Sequence, residues 1–185
     1  MMPFLFPKDG TGNRDEITIV TLYLGSNDAS APGTSQHVPI TEYKRNLESI
    51  IEYITELSPS TRYILITPAV VDSKVWPGRS SEATAQYADA VRQIGMEKNI
   101  PVADLWKEPN DISLEDLSDG LHMGVVGNRK IFSAVSSLIR THYPDVVPED
   151  KALNVPNMPL HFPHWSVLGD KDAEESRRII ESWTW

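Results

Sequence analysis

The twelve residues Ile17-Thr18-Ile19-Val20-Thr21-Leu22-Tyr23-Leu24-Gly25-Ser26-Asn27-Asp28 decide the fold. Through Leu24 they are β-branched, aromatic or leucine, with no charge and no proline. Side chains alternate across a strand, so a run that is apolar on both sides suits a strand covered on both faces, as in a parallel sheet. Gly25 ends the run, and a loop rich in Ala, Pro, Gly and Ser follows to about His37.

Working downstream, Thr41 reads as the N-cap of a helix whose Leu47, Ile50, Ile51, Ile54 and Leu57 recur at helical spacing. Ser58-Pro59-Ser60 stops it. Arg62–Thr67 reads as a second buried strand closed by Pro68, and Ser81–Lys98 as a helix with Ala85, Ala88, Val91, Ile94 and Gly95 inward. Ile100–Leu105 is a short third strand. Val125 to about His142 is a third helix, with Ile131, Phe132, Val135, Leu138 and Ile139 on its buried side. Strand and helix alternate with connections of helix length, which predicts an α/β layer fold around a parallel sheet. Residues 1–150 form the domain. Residues 151–185 are a tail on the same domain, first proline and aromatic with His161, Phe162, His164 and Trp165, then a helix over Asp172–Trp185.

Bulk composition narrows the function. The chain has 185 residues, 40% hydrophobic and 23% charged, and a net charge of −9, so neither nucleic acid nor an anionic membrane surface is an expected partner. It has no cysteine, which excludes disulfides, thiolate metal sites and cysteine nucleophiles. The first eight residues lack the basic lead and long apolar run of a signal peptide, and no segment has the roughly 20 apolar residues of a membrane helix. The expectation is a soluble, cytoplasmic protein.

Three places could carry chemistry. Gly25-Ser26-Asn27-Asp28 follows the first strand, where glycine permits a tight turn and an Asn amide can donate to a developing oxyanion. The same residues also suit a plain strand-end turn. Asp119-Gly120-Leu121-His122 places a carboxylate three residues ahead of an imidazole on a bend. There it can accept from one ring nitrogen and leave the other as a base. The alternative is a loop leading into the last helix, with Asp119 as its cap. His161 and His164 in the tail are spaced like metal ligands, but packing over a cleft accounts for them better.

Together and in this order, the two loop motifs resemble those of SGNH (GDSL-type) hydrolases, and within them the isoamyl acetate-hydrolysing esterase branch. Gln36-His37-Val38-Pro39, Tyr43-Asn46-Leu47, Ile64-Leu65-Ile66-Thr67-Pro68, Asp104-Leu105-Trp106 and Gly127-Asn128 extend the likeness. The resemblance implies a three-layer flavodoxin-like SGNH-hydrolase fold with a parallel sheet. It implies hydrolysis of small carboxylic esters such as acetate esters, with Asn27 and Gly25 in the oxyanion hole. His122 would be the base and then the acid, oriented by Asp119. It implies a small-molecule ester as substrate and no cofactor or metal.

One part of the pattern is missing. The family's G-D-S nucleophile lies on a strand upstream of G-x-N-D, yet residues 1–25 contain no serine. The nucleophile is therefore unknown; Ser26, Ser30, Ser35 and Ser118 are the nearby hydroxyls. The sheet is expected to lack its first strand, leaving residues 17–25 as a bare apolar edge open to self-association. That predicts either a piece of a longer polypeptide or a catalytically inactive, SGNH-like binding protein.

Overall fold

A computed structural model of the chain describes residues 17–146. The chain divides into two units, Met1–Val147 and Pro148–Trp185, and every described residue belongs to the first. The tail expected over 151–185, with His161, His164 and Trp165, lies outside the described residues.

Strands β1 (Ile19–Tyr23), β2 (Arg62–Ile66) and β3 (Val102–Ala103) form a parallel sheet in the order β1-β2-β3. Ile19 pairs with Arg62 and Tyr23 with Ile66, while Leu65 and Ile66 pair with Val102 and Ala103. Helices α1 (Ile40–Leu57), α2 (Ser81–Glu97) and α3 (Val125–His142) supply the crossovers and the closing layer.

The pleat of β2 sorts the core into two. Tyr63 and Leu65 pack with Tyr43, Leu47, Ile51 and Ile54 of α1 and Tyr87, Val91 and Ile94 of α2. Ile64 and Ile66 face the other way, onto Ala103, Leu105, Leu117 and Ala134, the last from α3. Two helices on one face of a parallel sheet and one on the other make the three layers that the apolar strands imply.

Local details depart from the periodicity in ways that packing explains. Helix α1 begins one residue before Thr41: Pro39 stands at its N-cap, its carbonyl accepting from the Tyr43 N–H at 2.8 Å, and no side chain caps it. Phe132 is not inward but 72% exposed, because the buried line of α3 runs through Gly127, Ile131, Ala134 and Leu138, leaving Phe132 one position off. Strand β3 shrinks to two residues because Leu105 donates its N–H to the Thr67 hydroxyl instead of continuing the ladder. No residue of β1 is fully buried, and among the described residues β1 pairs only with β2.

On α2, Ala88, Val91, Ile94 and Gly95 are buried as the spacing predicts, Ala85 is half-buried, and Tyr87 and Ala90 complete the contact. Gly95 sets how closely α2 approaches β3. A Cβ there would lie 2.3 Å from Val102 Cγ2 and 3.0 Å from the Ile100 carbonyl oxygen. Gly95→Ala therefore has to push the helix off the strand, and should destabilise the fold by about 1–3 kcal/mol despite alanine's better helix propensity. Urea unfolding measures it; an unchanged or raised midpoint would contradict this packing.

Candidate active site

Both candidate motifs emerge from the C-terminal ends of the strands, and the fold brings them together. Leu24–Asp28 and Leu121–Met123, with Tyr23, line one cavity of about 250 Å³. Asn27 comes from the loop after β1, and His122 from the loop that precedes α3.

The turn after β1 depends on Gly25. Its φ of +114° is a conformation L side chains rarely adopt, and a Cβ would sit 3.0 Å from Tyr43 Oη and 3.1 Å from Pro68 Cγ. Tyr43 Oη donates to the Leu24 carbonyl at 3.1 Å, so α1 braces the strand end directly beneath the turn. The Ala29 N–H closes the turn onto the Gly25 carbonyl at 3.0 Å. Asn27 is exposed at the loop tip, and its Oδ1 accepts from Arg79 Nη2 at 3.0 Å.

The second loop is organised by one carboxylate. Asp119 Oδ1 accepts the backbone N–H groups of Leu121 (3.0 Å) and His122 (2.8 Å), while Oδ2 meets His122 Nδ1 at 2.7 Å. Helix α3 has Gly124 at its N-cap, so Asp119 serves the histidine and its own bend rather than the helix. Those donors, the His122 N–H first and its ring second, hold the Asp119 carboxyl down to about 2. An ionised carboxylate can only accept, so Nδ1 must carry a proton, which leaves Nε2 as the nitrogen that exchanges one. The base of this loop is pinned as well. Ser118 donates its N–H to the His122 carbonyl at 2.7 Å, and Asn128 Nδ2 donates to Met123 and Gly124 carbonyls at 3.2 and 3.0 Å.

The connection from β2 to α2 ties the two loops together, and the spacing of motifs gave no hint of it. Asp72 donates its N–H to the Gly120 carbonyl at 2.8 Å, and Trp76 Nε1 donates to the Asp119 carbonyl at 2.9 Å. The Trp76 and His122 rings meet edge to face at 6.0 Å and 81°. Six residues on from Asp72, the same segment turns to the other loop: Ala31 donates its N–H to the Gly78 carbonyl at 2.7 Å, and Arg79 reaches Asn27. Arg79 sits in a polar run between Gly78 and Ser80, where nothing in the sequence separates it from an ordinary surface arginine.

The serines named from sequence are placed less favourably. Ser118 Oγ donates to the His122 carbonyl at 3.1 Å, away from the ring. Ser30 is buried and paired with the Thr34 hydroxyl at 2.8 Å, beside a separate cavity of about 590 Å³. Ser35 is exposed and lines neither cavity. Ser26 lines the candidate site, its carbonyl taken by Arg79 Nη1 at 2.5 Å. Among the described residues no group of three His, Cys, Asp or Glu side chains is arranged to hold a metal ion, and no helix is long and apolar enough to cross a membrane.

Comparison with known proteins gives a consistent picture. The profile of the GDSL-like Lipase/Acylhydrolase family matches residues 6–130. A GDSL esterase/lipase of Arabidopsis thaliana is 34% identical over 170 residues, covering 82% of this chain and 70% of that protein. The human isoamyl acetate-hydrolyzing esterase 1 homolog is 31% identical over 188 residues, covering 87% and 71%. A lipase/acylhydrolase from Enterococcus faecalis superimposes with a TM-score of 0.54 at 27% identity, over 68% of this chain and 62% of that structure. An acetylxylan esterase from Geobacillus stearothermophilus shares the fold, with a TM-score of 0.51 at 23% identity.

The Asp119–His122 contact has a pH signature. Its folded-state carboxyl lies below the ordinary value, so the pairing is fully present above about pH 4 and is lost only as pH falls through about 2. Carboxyl NMR should give an Asp119 midpoint near 2. In His122→Ala the two backbone donors remain, so the midpoint should rise but stay below the ordinary carboxylate value. A wild-type midpoint of about 4 would show that the contact does not form in solution.

Proposed function

Because the chain belongs to the GDSL-like lipase/acylhydrolase family, we propose that it is built for hydrolysis of small carboxylic esters such as acetate esters, with Asn27, Asp119 and His122 as its working side chains. The observation that carries this is the shared cavity: Gly25, Asn27 and His122, far apart in sequence, line one space of about 250 Å³, suited to a short acyl group. In this reading Asn27 Nδ2 donates to the oxygen that becomes negative as the carbonyl turns tetrahedral. His122 Nε2 takes the proton of the attacking hydroxyl and returns it to the departing alkoxide. Asp119 holds the ring and stabilises the imidazolium that forms between those two events. Ester and water become acid and alcohol, so no redox partner is needed.

The attacking group is the open position. Among the described residues, the hydroxyl side chains lining the cavity are Tyr23 and Ser26. Neither hydroxyl is hydrogen-bonded to the His122 ring among the described residues, which favours a second reading, in which the pocket binds an ester without turning it over. Hydrolysis of p-nitrophenyl acetate separates the two. Enzymatic turnover should vanish in His122→Ala and fall about 10²–10³-fold in kcat in Asn27→Ala, the cost of one oxyanion donor. Equal rates for the wild type and His122→Ala would leave only the binding reading, and loss of turnover in Ser26→Ala would make Ser26 the nucleophile.

We also propose that the chain associates with itself through residues 17–25. Leu22 is half-buried, Tyr23 and Leu24 are 38% and 45% exposed, and no charge lies between Ile17 and Gly25 to discourage strand addition. Sedimentation should show dimers or larger species that Thr21→Lys shifts toward monomer. A wild type that stays monomeric at tens of micromolar would end this proposal.

A further inference from the structure

Resting on the reading of Asn27 given above, we propose that Arg79 is a positioning residue that selects which end of the Asn27 amide faces the reacting oxygen. An Asn side chain has two nearly isosteric ends, one accepting and one donating, and an exposed one exchanges them by a half-turn. Only the NH2 end can stabilise an oxyanion. With the carbonyl end inward, the same residue would repel the developing charge.

Arg79 breaks that symmetry because a guanidinium has donors and no acceptor. Its Nη2 donates to Asn27 Oδ1 at 3.0 Å and to Gln36 Oε1 at 2.6 Å, while Nη1 donates to the Ser26 carbonyl at 2.5 Å. Flipping Asn27 would set its NH2 group against those donors and lose the bond. The amide therefore keeps Oδ1 on Arg79 and Nδ2 free to donate. The Ser26 bond anchors the backbone one residue before Asn27, so the fork fixes both the peptide and the side chain.

Arg79 is itself well founded. Its N–H donates to the Trp76 carbonyl at 3.2 Å, and the next residue, Ser80, caps α2 through the Ala83 N–H at 3.1 Å. Lysine cannot replace it fully, because one ammonium on a flexible stem does not span three acceptors with a planar fork. Nor is Arg79 placed to hold the other half of the site, since the Asp119–His122 loop is tied through Trp76 and Asp72.

Side-chain NMR of the full ¹⁵N-labelled chain tests this without requiring turnover. The Asn27 NH2 signals are identified by their loss in Asn27→Asp. In the wild type they should be as ordered as rigid backbone, about 0.85 in order parameter. In Arg79→Met they should fall below about 0.6, with Arg79→Lys between the two. The His122 ring and the core amides should not move. An Asn27 side chain that stays ordered in Arg79→Met overturns the inference. So does a shift of His122 and core signals along with it, because Arg79 would then be a general brace. If Arg79→Met does not fold, the same criteria apply to Arg79→Gln and Arg79→Lys.

Kinetics provides a second arm. If the wild type hydrolyses p-nitrophenyl acetate, Arg79→Met should lower kcat about 10–10²-fold with KM within about twofold. An unchanged kcat overturns the inference. If the wild type shows no turnover, the esterase reading fails on that arm and the NMR result still decides the role of Arg79.

Discussion

Strand β2 has no face left for water. Ile64 and Leu65 are fully buried and Tyr63 and Ile66 nearly so, with alternate residues pointing into opposite layers. A five-residue strand in that position requires cover on both sides and pairing on both edges. β1 and β3 supply the pairing, and α1, α2 and α3 the cover. Parallel pairing then forces each connection to cross back over the sheet, which puts the loops after β1 and β2 at the same end. The candidate site is a consequence of this geometry: Asn27 and the segment carrying Trp76 and Arg79 leave the sheet side by side because their strands run the same way.

Burial holds the frame, but hydrogen bonds to backbone carbonyls hold the site. Asn27, Asp119 and His122 are all exposed, so packing cannot fix them. The Leu24 and Ser26 carbonyls are held by Tyr43 and Arg79. Those of Asp119 and Gly120 are held by Trp76 and the Asp72 N–H. Each anchoring group comes from α1 or from the β2–α2 connection, which are themselves seated on the core. Exposed side chains on a braced backbone leave the precision of these loops resting on few bonds.

This division explains what the sequence disclosed. Strands and helices were legible because apolar periodicity records burial, and residues 62–66 and 125–142 are nearly where that pattern puts them. Gly25, Asn27, Asp119 and His122 could be singled out as candidates because each carries a chemical requirement within its own motif. Trp76 and Arg79 were not, because they act across sequence distances of 43 and 52 residues, on Asp119 and Asn27, from a loop with no periodicity. Phe132 failed for the opposite reason. Its apolar character suggested burial, but one position of helix rotation placed it outside the stripe that Ala134 and Leu138 define.

Asp104, Asp116 and Asp119 show why identity of residue is not enough to assign a role. Asp104 is gripped by both arms of Arg92 at 2.9 Å and receives the Trp106 N–H, which secures the end of β3 against α2. Asp116 is buried, accepts from Ser113 and is paired with Lys130 at 2.8 Å, its carboxyl held below the ordinary range chiefly by that lysine. Arginine and lysine stay charged throughout the neutral range, so these two carboxylates face partners that never release a proton there. Asp119 alone of the three faces an imidazole, that of His122, and it is this histidine that lines the cavity with Asn27. It is the kind of partner, a ring with a second nitrogen free beside the cavity, more than the aspartate's own depressed ionisation, that separates the candidate catalytic pair from two structural ion pairs.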